Sequence, residues 1–213
     1  MPRKRAAAAA TTPVPAPWPR PAKIAFIGSH GIRKTSALLA FAAEVQRAGR
    51  SVELGREVVR DNPLGINEAA TGEAQLWVLV SQVRQELELG RKADILATDR
   101  GVMDNYAYYL RACGGTDEFA VYPMVQRWSR TYDHVVRLLP DVALQADGVR
   151  STNDAFRDEV EAILDRVLPE LVPAERMTVL RASEITSRFD WFAIVQRLAT
   201  IVGGTVTPPD LWR

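Results

Sequence analysis

"KIAFIGSHGIRKTSAL", Lys23 to Leu38, decides how the rest of the chain is read. An apolar run leads into a glycine-containing turn, and Lys34-Thr35 then open an Ala/Leu-rich helical pattern. The spacing matches G-x-x-x-x-G-K-[ST], in which backbone N–H groups and a lysine cradle phosphate and a hydroxyl reaches Mg²⁺. Gly28, Lys34 and Thr35 stand in register, but Arg33 occupies the place of the second glycine. Three outcomes are open for Arg33. It strains the turn or crowds the phosphate, it swings outward and leaves the N–H groups intact, or it lays its guanidinium on phosphate.

Outward from that stretch, apolar runs alternate with helical patterns. Strand patterns fall at 22–28, 51–55, 93–99, 134–140 and 176–182, and helical ones at 35–49, 67–90, 102–112, 117–131, 152–168 and 183–203. Gly72 marks a break in the second helical stretch, Thr152 or Asn153 is placed to cap the fifth, and Ser183 the last. Strands separated by helices predict right-handed crossovers and an α/β fold: a mainly parallel five-stranded sheet with helices on both faces. Ligands of such sheets bind beyond the carboxyl ends of the strands. Gly28 to Thr35 follow the first strand, Glu57 the second, and Asp99-Arg100 the third.

The totals limit the alternatives. The chain has 213 residues, 47% hydrophobic and 25% charged, enough for one domain with a sizeable core. A net charge of +1 argues against nucleic acid as the partner, and no apolar run is long enough to cross a bilayer. Cys113 is the only cysteine, and His30 and His134 are the only histidines, which excludes an intrachain disulfide and a multi-cysteine or His-rich metal centre. "MPRKRAAAAATTPVPAPWPRP" (1–21) lacks the strongly apolar centre of a secretory signal and reads as a disordered, basic, Ala/Pro-rich tail. The expected domain then spans 22–207, with 208–213 a short tail, in a cytoplasmic protein.

The chemistry expected at each position follows from charge. The loop Gly28, Ser29, His30, Gly31, Ile32, Arg33, Lys34, Thr35 and Ser36 would bind the phosphates, with Lys34 as the mobile cation. Thr35 and Asp99 would hold Mg²⁺, and Asp99 can also orient or deprotonate an acceptor. Arg100, Arg150 and Arg157 would neutralise the transferring charge, the last two from a lid. Glu57 and Arg60, with Asp99 and Arg100, would face the acceptor. Each also has a plain structural reading, as a charged loop or a solvated helix face. "DNYAYYL" and Trp77 read as core or as an apolar acceptor pocket, and the side chain of His30 as secondary to its backbone N–H.

"IAFIGSHGIRKTSAL", "REVVRD", "EAQLWVLVSQ", "ATDRGVMDNYAYY" and "DGVRSTNDAFRDEV", in that order, resemble the small AAA-type ATP-binding family related to nicotinamide riboside kinase and to the thymidylate-kinase-like P-loop kinases. The resemblance spans about residues 22–203. It implies a three-layer P-loop fold with strand order 2-3-1-4-5 and an Arg-bearing lid. It also implies phosphate and Mg²⁺ binding by Lys34 and Thr35, a nucleoside-kinase-like carboxylate–arginine pair at Asp99-Arg100, lid residues Arg150 and Arg157, and an acceptor-side carboxylate at Glu57. The sequence departs from the family at Arg33, where the family has glycine. The leading expectation is an ATP-dependent (or GTP-dependent), Mg²⁺-assisted kinase of a small nucleoside, nucleotide or related metabolite, with a homodimer as one assembly. The alternatives are a nucleotide-binding module without turnover, motivated by Arg33, and a kinase of nucleic-acid ends that uses the basic tail.

Overall fold

The computed structural model describes residues 20–144, 151–185 and 191–202. Five strands, β1 (Ala22–Ile27), β2 (Val52–Gly55), β3 (Ile95–Asp99), β4 (His134–Leu139) and β5 (Met177–Arg181), form one parallel sheet in the order β2-β3-β1-β4-β5. β1 is central, buried along its whole length, and delivers the glycine turn to the middle of the sheet's carboxyl edge.

The period-two alternation of β1 divides the core. Ile24 and Phe26 face one layer, where α1 (Lys34–Arg47) and α6 (Phe192–Ile201) bury Phe41, Val45, Val195 and Leu198. Phe26 lies with ring centroids 5.7 Å from both Phe41 and Trp191. Ala25 and Ile27 face the other layer, built with α2 (Gly72–Leu89), α3 (Val102–Ala112), α4 (Tyr122–Ser129) and α5 (Asp154–Leu171). Helices thus cover both faces, as parallel strands require.

Several boundaries shift for local reasons. The break at Gly72 is real: Asn67–Ala69 form a 3-10 turn, and Thr71 caps α2 by accepting from Ala74 N. Asn153 caps α5 by accepting from Phe156 N. α4 starts at Tyr122 rather than 117, because the Asp117 carboxylate accepts from the N–H groups of Val121 and Tyr122, both at 2.9 Å, and holds a turn ahead of the helix. Ser183 does not cap a helix. It sits in a short turn (Ala182–Glu184) and bonds Asp141 through both its N–H and its hydroxyl. Arg20, counted with the tail in the sequence, grips the Asp133 carboxylate with two bonds of 2.7 and 2.8 Å.

At the sheet's amino edge Glu86 is buried and receives four donors: Lys23 Nζ at 2.6 Å, Tyr132 Oη at 2.6 Å, Trp128 Nε1 at 2.7 Å and Gln82 Nε2 at 2.8 Å. The Lys23 ammonium also lies over the Tyr132 and Trp128 rings. A buried charge is tolerated only with such full pairing.

Candidate functional site

The turn after β1 wraps the N-terminus of α1. Gly28 and Gly31 adopt φ of 139° and 74°, and Arg33 takes a left-handed φ of 61°. That conformation accounts for the glycine of the general pattern, since a Cβ there costs about 1–2 kcal/mol. A Cβ on Gly28 would lie 2.6 Å from Leu138 O, so this glycine is also needed for space. The Arg33 side chain is exposed.

Lys34 is buried, and its ammonium donates to Ser29 O across the loop. Burial, then the nearby Arg100, pushes its pKa down to about 8. Thr35 Oγ1 donates to Asp99 Oδ2 at the end of β3. Asp99 is itself buried, and its Oδ1 has no hydrogen-bond partner among the described residues. A hydroxyl beside a buried carboxylate with a lone pair to spare suits a hard divalent cation that keeps several waters. The donor set therefore fits Mg²⁺, although no cluster of three or more His, Cys, Asp or Glu with metal-binding geometry exists among the described residues.

From below, the loop is braced by residues that sequence reasoning passed over. Glu161 Oε1 on α5 accepts from Ser29 N at 2.9 Å, and the Arg137 guanidinium on β4 pairs with the same carboxylate. Arg137 Nη1 also donates to Leu138 O at 3.0 Å. The signal was a lone arginine inside the apolar strand "HVVRLL", which needs a buried partner.

Beside the loop lies the second half of the site. Arg100 directly follows β3 with φ 82°, a left-handed turn that directs its buried guanidinium back under the sheet edge. Its Nε donates to Glu57 Oε1 at 2.8 Å, Nη1 lies 3.5 Å from Asp104 Oδ2, and the group sits 4.7 Å over the Tyr108 ring. Asp104 also caps α3, accepting from Gly101 N at 2.7 Å. Burial raises the Asp104 pKa, against the pull of Arg100. Arg60 Nε lies 3.4 Å from Glu57 Oε2.

Glu57, Arg60, Arg100, Asn105, Tyr108 and His30 line one cleft of about 30 Å³. That is room for a water, so a metabolite enters only if the walls part. Phe156 and Asn67 also line the cleft. Ser151 ties to this lining, donating from its hydroxyl to Glu68 and from its N–H to Asn67 Oδ1 at 3.3 Å.

The structure thus gathers Lys34, Thr35 and Asp99 at the loop, and Glu57, Arg60 and Arg100 in the adjoining cleft. Arg157 lies at the start of α5, where Nη1 donates to Val142 O at 3.1 Å and Nη2 pairs with Asp154 at 2.7 Å. Its charge is near enough to depress the His30 pKa. Arg150 lies outside the described residues. Of the aromatic stretch, Asn105 and Tyr108 face the cleft, while Tyr106 and Tyr109 belong to the core. Trp77 is half-buried and does not line the cleft.

Among solved structures, a NadR protein in complex with NR superposes with a TM-score of 0.64 at 14% identity, covering 88% of this chain and 53% of that one. The chain therefore spans about half the length of that protein. Thymidylate kinase from Candida albicans matches with a TM-score of 0.54 at 12% identity, covering 76% of this chain and 84% of the other. Deoxyadenosine kinase from M. mycoides matches with a TM-score of 0.51 at 13% identity, covering 81% and 94%. At such identities the likeness is one of fold, and it is the three-layer P-loop kinase fold. No curated protein matches the chain in sequence. The family model described as "AAA domain" matches residues 23–183, from the first strand into the Ala182–Glu184 turn, and the chain belongs to that family.

Proposed function

We propose that the protein is an ATP-dependent phosphotransferase that phosphorylates a small hydroxyl- or phosphate-bearing metabolite, with Mg²⁺ as cofactor. One observation carries this reading: the glycine–lysine turn and the Glu57–Arg100 cleft share a wall, with His30 contributed by the first and Arg100 placed next to Asp99. A donor site and an acceptor site that touch are what in-line transfer needs. A nucleoside or nucleotide is the favoured acceptor class. The neighbouring folds are a thymidylate kinase, a deoxyadenosine kinase and a NadR protein in complex with NR. Polar Asn105 and Gln75 beside the Tyr108 and Phe156 rings suit a heterocycle with hydrogen-bonding edges.

In this reading Lys34 leaves the Ser29 carbonyl and pairs with the donor's phosphates, and the loop N–H groups hold them. Thr35 and Asp99 hold the metal, which supplies charge neutralisation on the phosphates. Glu57, fixed by Arg100, accepts the proton of the acceptor hydroxyl as its oxygen attacks the γ-phosphorus, and the bond from that phosphorus to the bridging oxygen breaks to release ADP. Arg100 and Arg157 offset the charge that spreads over the transferring group. Parting and reclosure of the cleft walls exclude water.

Turnover is favoured over a binding-only module because Arg33 is exposed and its backbone takes the left-handed turn that glycine would take. The test is an acceptor screen: Mg-ATP with a panel of nucleosides and nucleoside monophosphates, followed by ADP release. A positive acceptor whose turnover falls about 100-fold or more in Glu57→Gln, with ATP affinity unchanged, is the expected result. A protein that binds Mg-ATP but transfers to no member of the panel would contradict it.

A further inference from the structure

His30 lies inside the phosphate loop, yet its side chain belongs to the cleft. The ring is buried and stacks on Phe156 of α5, with centroids 5.1 Å apart and planes 28° apart. Nδ1 lies 3.1 Å from the Tyr108 hydroxyl on α3. Nε2 is buried with no hydrogen-bond partner among the described residues. Two helices thus clamp an imidazole carried by the loop and leave one nitrogen without a hydrogen-bond partner among the described residues, at the boundary between the loop and the cleft.

We propose that His30 reads the terminal phosphoryl group of the donor, its Nε2–H donating to a γ-phosphoryl oxygen where the loop meets the acceptor cleft. This rests on the phosphotransferase reading above and deepens it. Transfer requires the last phosphorus to lie between the loop and the acceptor, and His30 is the loop residue whose side chain lines both. In this assignment the Tyr108 hydroxyl donates to Nδ1, and the hydrogen of the neutral ring lies on Nε2. The groups facing the ring are Arg100 after β3, Lys34 on α1 and Arg157 on α5, with Glu68 and Tyr108 nearby, so the local field favours an anion. Burial, then those cations, pushes the His30 pKa down to about 4. The ring is therefore neutral at pH 7 and acts by direction rather than by charge. A diphosphate lacks the oxygens that Nε2 would meet, so His30 distinguishes a loaded donor from a spent one.

The experiment is calorimetric titration of Mg-AMP-PNP, which retains a γ-phosphoryl group, and of Mg-ADP into wild type, His30→Phe and His30→Gln. Phenylalanine keeps the ring on Phe156 and removes both nitrogens, while glutamine restores a donor at similar reach. His30→Phe should lose about tenfold in Mg-AMP-PNP affinity and less than about twofold for Mg-ADP, with His30→Gln recovering part of the difference. Equal weakening of both nucleotides, or of neither, overturns the assignment. Should His30→Phe fail to show a cooperative unfolding transition, Tyr108→Phe takes its place: a reduced Mg-AMP-PNP to Mg-ADP affinity ratio supports the proposal, and an unchanged ratio overturns it. Wild type binding neither nucleotide would instead overturn the phosphotransferase reading itself.

Discussion

Thr35 Oγ1 donates to Asp99 Oδ2, joining the first turn of α1 to the end of β3, and the other Asp99 oxygen is left without a hydrogen-bond partner among the described residues. The pair is a preformed two-oxygen site. If it holds Mg²⁺, nucleotide affinity should depend on the metal through Asp99. Chelation should weaken ATP binding to wild type by about 10–100-fold, and Asp99→Asn should show that weaker affinity with or without chelator. Titrations in Mg²⁺ and in EDTA decide it, and an Asp99→Asn protein with undiminished Mg²⁺ dependence would remove Asp99 from the metal.

Arg33 holds a backbone conformation that suits glycine better. Arg33→Gly should therefore be more stable than Arg33→Ala by about 1 kcal/mol, raising Tm by about 2–4 °C. Because the guanidinium is exposed, Arg33→Ala itself should bind Mg-ATP as wild type does. Thermal melts and titrations on the two variants separate the backbone effect from that of the side chain.

Glu86 accepts four hydrogen bonds and lies at the edge of the sheet away from the loop. Glu86→Ala leaves the Lys23 ammonium buried without its counter-charge, a loss of about 3–5 kcal/mol. Denaturant midpoints should register a loss of this size. A shift under about 1 kcal/mol would mean that water reaches Lys23 and repairs the gap.

Acid should destabilise the fold through its two buried histidines. His134, whose Nε2 lies 2.9 Å from Thr178 Oγ1, has its pKa lowered to about 4 by burial and then by Arg197. His30 is likewise at about 4. Between that value and the ordinary 6.5 the unfolded chain binds protons that the folded chain refuses, so the folded state loses stability as pH falls through that window. His134→Gln should flatten the slope of stability against pH between about 6.5 and 4 without touching nucleotide binding.

Much of this arrangement was legible in the sequence, for identifiable reasons. The apolar run "AKIAFIG" and the lysine–threonine after its turn marked the strand that carries the loop, the alternation of strand and helix patterns predicted the layered parallel sheet, and the order 2-3-1-4-5 came from the family resemblance. Glu57, Asp99 and Arg100 could be placed because they directly follow strands, and parallel sheets put those ends together. The residues that were missed act across the fold. Arg137 and Glu161 brace Ser29 from β4 and α5, and Phe156 and Tyr108 clamp His30 from α5 and α3. Spacing along the chain carries no record of such contacts. His30 itself was valued for its backbone, because a side chain's direction from a loop depends on φ and ψ that sequence does not print. The helix starts at 117 and 183 failed through side chains that bonded elsewhere: Asp117 to the turn before α4, and Ser183 to Asp141.

The central claim is that the turn between β1 and α1 binds nucleotide despite Arg33. Calorimetric titration of Mg-ATP into wild type, Lys34→Ala and Arg33→Gly tests it most directly. Saturable binding to wild type and to Arg33→Gly, with none to a folded Lys34→Ala, is the expected result. Binding only after Arg33→Gly, or binding to Lys34→Ala as tight as to wild type, would contradict it.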